Sequence, residues 1–140
     1  FHNWKDSKRL PTLISPSLIL NKNGSINLVL GSAGSNRIRS AMIQVILNYL
    51  IKDMTLEESV YHPRIHLEKN ELHIEPGINL KKEIIENKNI KINSFSELNL
   101  FFGGVNSVSD REAVSDPRRG GYGIICWENI KIEFVLLLFQ

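Results

Sequence analysis

Apolar and polar positions divide this chain into short alternating runs with one long helical stretch among them. Leu13-Ile-Ser-Pro-Ser-Leu-Ile-Leu20 and Ile26-Asn-Leu-Val-Leu30 are apolar runs on either side of Asn21-Lys-Asn-Gly-Ser25. Asn23-Gly24 between such runs predicts a hairpin, because both residues tolerate positive φ, and Pro16 belongs at a strand start or on a bulge. From Asn36 to about Lys52 the period becomes that of a helix. Ile38, Met42, Val45, Ile46 and Tyr49 share one face, while Ser40, Gln44, Asn48 and Lys52 form a narrow polar stripe. A helix this apolar is expected to be mostly buried, against a sheet, with Ser35 or Asn36 as its cap.

Thr55-Leu-Glu-Glu58 has the capping-box pattern and predicts a short helix that Pro63 ends. Arg64-Ile-His-Leu-Glu68 and Glu71-Leu-His-Ile-Glu75 alternate around Lys69-Asn70 and predict a second hairpin. Asn79 to Glu86 reads as an amphipathic helix, and short strands are expected around Val105–Val108 and Ala113–Val114. Asp116-Pro-Arg-Arg-Gly-Gly121 is a turn-rich loop, and Ile130 to Phe139 reads as a closing strand. The order predicts one α+β unit.

Between the first hairpin and the long helix, Leu28-Val-Leu-Gly-Ser-Ala-Gly-Ser-Asn-Arg-Ile-Arg-Ser40 reads as a buried strand, a small-residue loop from Gly31 to Ser35, and a helix N-terminus. Such a junction points unpaired N–H groups at one spot and suits an anion, whether a bound phosphate or carboxylate or a reaction's oxyanion. A tight connection with no ligand is the plainer alternative. The loop holds no Lys and matches neither G-x-x-x-x-G-K-S/T nor G-x-G-x-x-G. Gly31-Ser-Ala-Gly34 matches a KH-domain GXXG loop in letters, but that loop joins two helices.

At 140 residues with a formal net charge of +2, the chain is about one domain in size. Its scattered basic residues exclude a nucleic-acid footprint. Its one cysteine, Cys126, excludes an internal disulfide framework, and no Cys/His spacing suggests zinc. No apolar run approaches the roughly 20 residues that span a bilayer. His2, His62, His66 and His73 are weak as metal ligands without a third partner, so no metal and no cofactor is expected. No G-x-S-x-G motif supports a Ser-His-Asp set, and Cys126 reads as a small buried hydrophobe. Arg118-Arg119 either clamp an anion or brace their own loop. The chain opens at Phe1-His-Asn-Trp4 without an initiator Met and is expected to be a piece of a longer protein. Residue chemistry alone leaves an anion-binding loop and no complete catalytic set.

Seven segments in order resemble the C-terminal, small-subunit part of the γ-glutamyltransferase family, the glutathione hydrolases. They are Phe1-His-Asn-Trp4, Arg9-Leu-Pro-Thr-Leu-Ile-Ser-Pro-Ser17, Gly31-Ser-Ala-Gly-Ser-Asn-Arg-Ile-Arg-Ser40, Ser59-Val-Tyr-His-Pro-Arg64, Leu72-His-Ile-Glu-Pro-Gly77, Leu98-Asn-Leu-Phe-Phe-Gly-Gly-Val105 and Ser115-Asp-Pro-Arg-Arg-Gly-Gly121. The resemblance covers residues 1–123 and leaves 124–140 as an apolar, strand-like tail without a counterpart. It implies part of an N-terminal-nucleophile (Ntn) hydrolase, a four-layer αββα sandwich made as a self-cleaving precursor. In that family the new N-terminal Thr attacks a γ-glutamyl amide such as glutathione, and the γ-glutamyl ester passes to water or an amino acid.

Position by position, the family's glycine pair falls on Gly34 and Ser35, whose N–H groups would form the oxyanion hole. The hydroxyl pair that holds the substrate α-carboxylate falls on Thr12 and on Leu13, where only the main-chain N–H remains. The nucleophilic Thr is expected upstream of Phe1, and a carboxylate-pairing arginine in the large subunit. The implied partners are that large subunit, the preceding part of the small subunit and a γ-glutamyl small molecule, with no nucleic acid and no evident membrane segment. The chain alone is expected to be inactive. The compartment is not legible, though the resemblance favours a periplasmic or extracellular one. A non-catalytic remnant on the same fold and an acylase for another amide remain alternatives.

Overall fold

The computed structural model describes residues 9, 12–86 and 89–125. The Phe1–Trp4 segment, His2, Cys126 and the expected strand from Ile130 to Phe139 lie outside the described residues. Strand β1 (Ser17–Leu20) and strand β2 (Ile26–Ala33) form the first hairpin, with Ser17 opposite Leu30 and an irregularity between Ile19 and Leu20. Its turn is closed by the Gly24 N–H donating to the Asn21 carbonyl at 2.9 Å and by the Ser25 N–H donating to Asn23 Oδ1 at 3.0 Å. Gly24 takes positive φ there, at 85°, and Asn23 does not.

Strand β6 (Gly104–Ser109) lies antiparallel on the other side of β2, and β7 (Ala113–Val114) pairs with β6, giving the order β1-β2-β6-β7. Here the structure corrects the expected loop. Gly31, Ser32 and Ala33 belong to β2, opposite Asn106, Val105 and Gly104. Small side chains suggest a loop, but ladder hydrogen bonds use only the main chain, and β6 offers a partner that far. The connection shrinks to Gly34 and a 3₁₀ turn, Ser35–Arg37, ahead of helix α1 (Ile38–Ile51).

That inserted turn also removes the expected cap, because α1 starts after Arg37 with no side-chain cap from Ser35 or Asn36. The helix is less buried than its apolarity suggests. Ile38, Ala41, Met42, Val45 and Asn48 are its buried residues, while Ile43, Leu47, Leu50 and Ile51 are exposed. Part of the polar stripe packs against the protein instead: Asn48 is buried, while Lys52 stays exposed. Gln44 accepts from the Ile65 N–H and donates to the Ile65 carbonyl, both at 2.9 Å. One amide side chain thereby satisfies the main chain of an edge strand as a neighbouring strand would.

Helix α2 (Leu56–Tyr61) begins with a complete capping box: the Glu58 N–H donates to Thr55 Oγ1, and Glu58 Oε2 accepts from the Thr55 N–H at 2.8 Å. It stops at His62, before Pro63. The second hairpin, β3 (Ile65–Glu68) and β4 (Glu71–Ile74), forms in the expected register. Helix α3 (Lys82–Ile85) keeps only four residues of the longer helix the pattern suggested. Strand β5 (Lys91–Ser94), unexpected from its sequence, lies parallel to β4 and gives a sheet ordered β3-β4-β5. The core packs Leu28, Leu30 and Val105 of the larger sheet beneath Ile38, Ala41, Met42 and Val45 of α1 and Leu56 and Val60 of α2. The sheet's other face presents Leu18 and Val29 to solvent, paired across β1 and β2. Among the described residues, no helix is long and apolar enough to cross a membrane.

Candidate active site

The Gly34 turn sits where β2 hands over to α1, and its conformation is dictated by a neighbouring backbone. Gly34 has φ 136°, and a Cβ placed on it would stand 2.7 Å from the Gly103 Cα. Gly103 has φ 80°, and a Cβ there would stand 2.9 Å from the Ala33 carbonyl oxygen. Each glycine is therefore required twice, for a dihedral that side chains disfavour and for space that a methyl would fill. Ser35 follows at φ 54°, left-handed without being glycine, at a cost of roughly 1–2 kcal/mol. The Gly34 carbonyl accepts from the Arg37 N–H at 3.1 Å, closing the 3₁₀ turn. Among the described residues the N–H groups of Gly34 and Ser35 have no hydrogen-bond partner. Two adjacent donors on a fixed backbone can receive a negative oxygen.

Behind the turn lies an aromatic cluster. The Arg37 guanidinium stands 4.1 Å from the Phe101 ring centroid, and His73, Phe95 and Phe102 pack around the same ring. His66 and His73 are direct cross-strand partners with ring centroids 6.4 Å apart. His66 Nδ1 is 2.7 Å from Ser40 Oγ, and Nε2 is 3.6 Å from Glu68. Burial lowers the His66 pKa and Arg37 adds to that, while Glu68 opposes it. Among the described residues, no group of three or more His, Cys, Asp or Glu could hold a metal ion.

A third feature was not evident from sequence: a buried network of two arginines and two carboxylates. Arg64 Nη2 meets Asp116 Oδ2 at 2.6 Å, and Arg118 Nε meets Glu75 Oε1 at 2.7 Å, with Arg118 also on Asp116. The remaining lone pairs are used. Glu75 accepts from the Arg64 and Asn99 N–H groups, and Asp116 from the Val105 and Arg118 N–H groups. Both guanidinium groups donate to the Val60 carbonyl, and Arg118 also to that of His62. Two positive and two negative charges cancel, which makes such burial tolerable. Burial lowers the Arg64 pKa in spite of Asp116; for Arg118 the hydrogen bonds and charges of Glu75 and Asp116 outweigh burial and raise it. Arg118 thus braces the fold and is not an anion clamp. The signal available in sequence was the recurrence of single charges beside prolines, in His62-Pro-Arg64, Glu75-Pro76 and Asp116-Pro-Arg118.

Thr12 and Leu13 lie in an exposed segment that enters β1 from the end of the sheet at which β2 finishes. The Thr12 hydroxyl accepts from the Ile14 N–H at 3.1 Å. No hydrogen bond joins either residue to the Gly34 turn among the described residues.

A family model described as gamma-glutamyltranspeptidase matches residues 2–126. The glutathione hydrolase 5 proenzyme of Mus musculus is 31% identical over 119 residues, which is 81% of this chain and 21% of that protein. The solved gamma-glutamyltranspeptidase from Pseudomonas nitroreducens, complexed with L-DON, superposes with a TM-score of 0.70 at 24% identity. That match covers 88% of this chain and 67% of the other. A mutant Helicobacter pylori gamma-glutamyltranspeptidase gives a TM-score of 0.63 at 28% identity, covering 82% and 66% respectively. The chain spans about a fifth of the length of the curated relatives it matches over most of its own. Its α+β fold is that of Ntn hydrolases.

Proposed function

The chain belongs to the gamma-glutamyltranspeptidase family, and from that premise we propose that it supplies the oxyanion hole of an enzyme acting on γ-glutamyl amides such as glutathione. In this reading the N–H groups of Gly34 and Ser35 receive the carbonyl oxygen as a nucleophilic Thr, borne by sequence that precedes Phe1, adds to the carbon. The Thr proton passes to its own α-amine. Collapse of the tetrahedral species breaks the C–N bond, and the departing amine takes that proton. Water or an amino acid then attacks the γ-glutamyl ester by the same path. Thr12, through its hydroxyl, and Leu13, through its main-chain N–H, hold the substrate α-carboxylate together with an arginine of the large subunit.

The observation that supports this reading most is the Gly34–Ser35 turn itself, with two N–H groups unpartnered among the described residues on a backbone in contact with Gly103. Donors fixed before reaction need no reorganisation when charge develops, and removing one such donor costs on the order of 10²–10³ in kcat. Leu13, apolar where the resemblance has a hydroxyl, favours a second reading: an acylase of the same fold whose amide carries no glutamyl α-carboxylate. The test is turnover of a γ-glutamyl anilide by the purified full-length protein. Gly34→Ala keeps the N–H but drives a methyl into the Gly103 backbone, and the displaced donors should lower kcat about 100-fold; this chain alone should give no turnover. Undiminished kcat in Gly34→Ala contradicts the proposal. Turnover of other N-acyl anilides but not of the γ-glutamyl one selects the second reading.

A further inference from the structure

We infer that Gly103 is a positioning residue for the Gly34–Ser35 donors and that the buried charge network holds it in place; the inference rests on the oxyanion-hole reading above. Gly103 is remote from Gly34 in sequence, yet its Cα is the atom a Gly34 side chain would strike first, and the Ala33 carbonyl blocks any side chain on Gly103. The residues beside it are clamped from both directions. The Phe102 carbonyl accepts from Arg64 Nη1 at 3.5 Å, and the Val105 N–H donates to Asp116 at 2.7 Å. Ala33 pairs with Gly104, so the last rung of the β2–β6 ladder fixes the level at which Gly103 meets the turn. On its third flank stands the Ala41 methyl of α1, 3.7 Å from where a Gly103 Cβ would be. A backbone confined in this way sets the direction of the Gly34 and Ser35 amides without touching substrate. A displacement of about 1 Å in such a constellation is enough to cost about 100-fold.

Gly31 supplies the control. A methyl there meets nothing within 4 Å, and Gly31 has no positive φ. In the full-length protein, Gly103→Ala should lower kcat for a γ-glutamyl anilide at least tenfold with KM within twofold. Its affinity for a tetrahedral phosphonate analogue should fall in parallel, while affinity for free glutamate is kept. Gly31→Ala should leave all four quantities near wild type. If Gly103→Ala does not fold, Ala41→Ser presses on the same backbone more gently and should lower kcat a few-fold with KM unchanged. Wild-type kcat in both Gly103→Ala and Ala41→Ser, or loss of glutamate and phosphonate affinity to the same degree, overturns the inference. A fall in kcat for Gly34→Ala without one for Gly103→Ala overturns this inference alone; wild-type kcat in Gly34→Ala removes the reading beneath it.

Discussion

Arg118 and Glu75, 43 residues apart in sequence, meet through two hydrogen bonds with both side chains fully buried. Three of the segments that identify the family converge there: the Arg64 segment, the Glu75 segment and the Asp116–Arg118 segment. Breaking one member of a buried pair strands its partner's charge. Glu75→Gln should therefore lower unfolding free energy by about 3–5 kcal/mol in urea titrations. Glu75→Gln combined with Arg118→Met should cost less than the sum of the two single losses, because no unpaired charge remains. A single-variant loss under about 1 kcal/mol would contradict the assignment.

Thr55→Ala should cost about 1 kcal/mol, since it removes the acceptor for the Glu58 N–H at the start of α2. The effect reaches further than one turn, because α2 carries Val60, whose carbonyl both buried arginines use. Thr55→Ser keeps the hydroxyl and should restore most of the loss in the same thermal melt.

Stability should depend on pH through His66, which faces Ser40, Glu68, Arg37 and His73. Its pKa in the folded protein is lowered from 6.5, by burial first. As pH falls below 6.5 the unfolded chain takes up this proton before the folded one does, so stability declines across that interval. It levels off once the folded pKa is passed, and above 6.5 the contribution is complete. In urea midpoints measured from pH 5 to 8, His66→Gln should flatten this slope. An unchanged slope would contradict it.

Ser35→Gly should retain kcat, because the proposed donor is the main-chain N–H. Relief of the left-handed strain, roughly 1–2 kcal/mol, is offset by about 0.5–1 kcal/mol of added chain entropy, so the melting temperature should change little or rise. A large fall in kcat would assign the work to the hydroxyl.

Features written in local chemistry were legible in sequence. Asn23-Gly24, Thr55 with Glu58, and the alternation around Lys69-Asn70 each specify their own turn or cap within a few residues, and each formed. What depends on distant partners was not. Gly31-Ser-Ala33 is strand because β6 lies beside it, and β5 is strand because β4 does. Gln44 faces inward because edge strand β3 needs main-chain partners. The Glu75–Arg118 pairing joins segments 43 residues apart, and the charges beside prolines that they share do not say which charge meets which. At the candidate site the glycine positions could be read, but the reason Gly34 must be glycine could not, since it lies in Gly103.

We propose that Gly34 and Ser35 present their N–H groups to a reaction oxyanion. The most direct test is a crystal structure of the full-length protein bound to a tetrahedral γ-glutamyl analogue. One analogue oxygen is expected about 2.7–3.1 Å from both the Gly34 and Ser35 nitrogens. An analogue bound with that oxygen on other donors, and both nitrogens beyond about 3.5 Å, would contradict it.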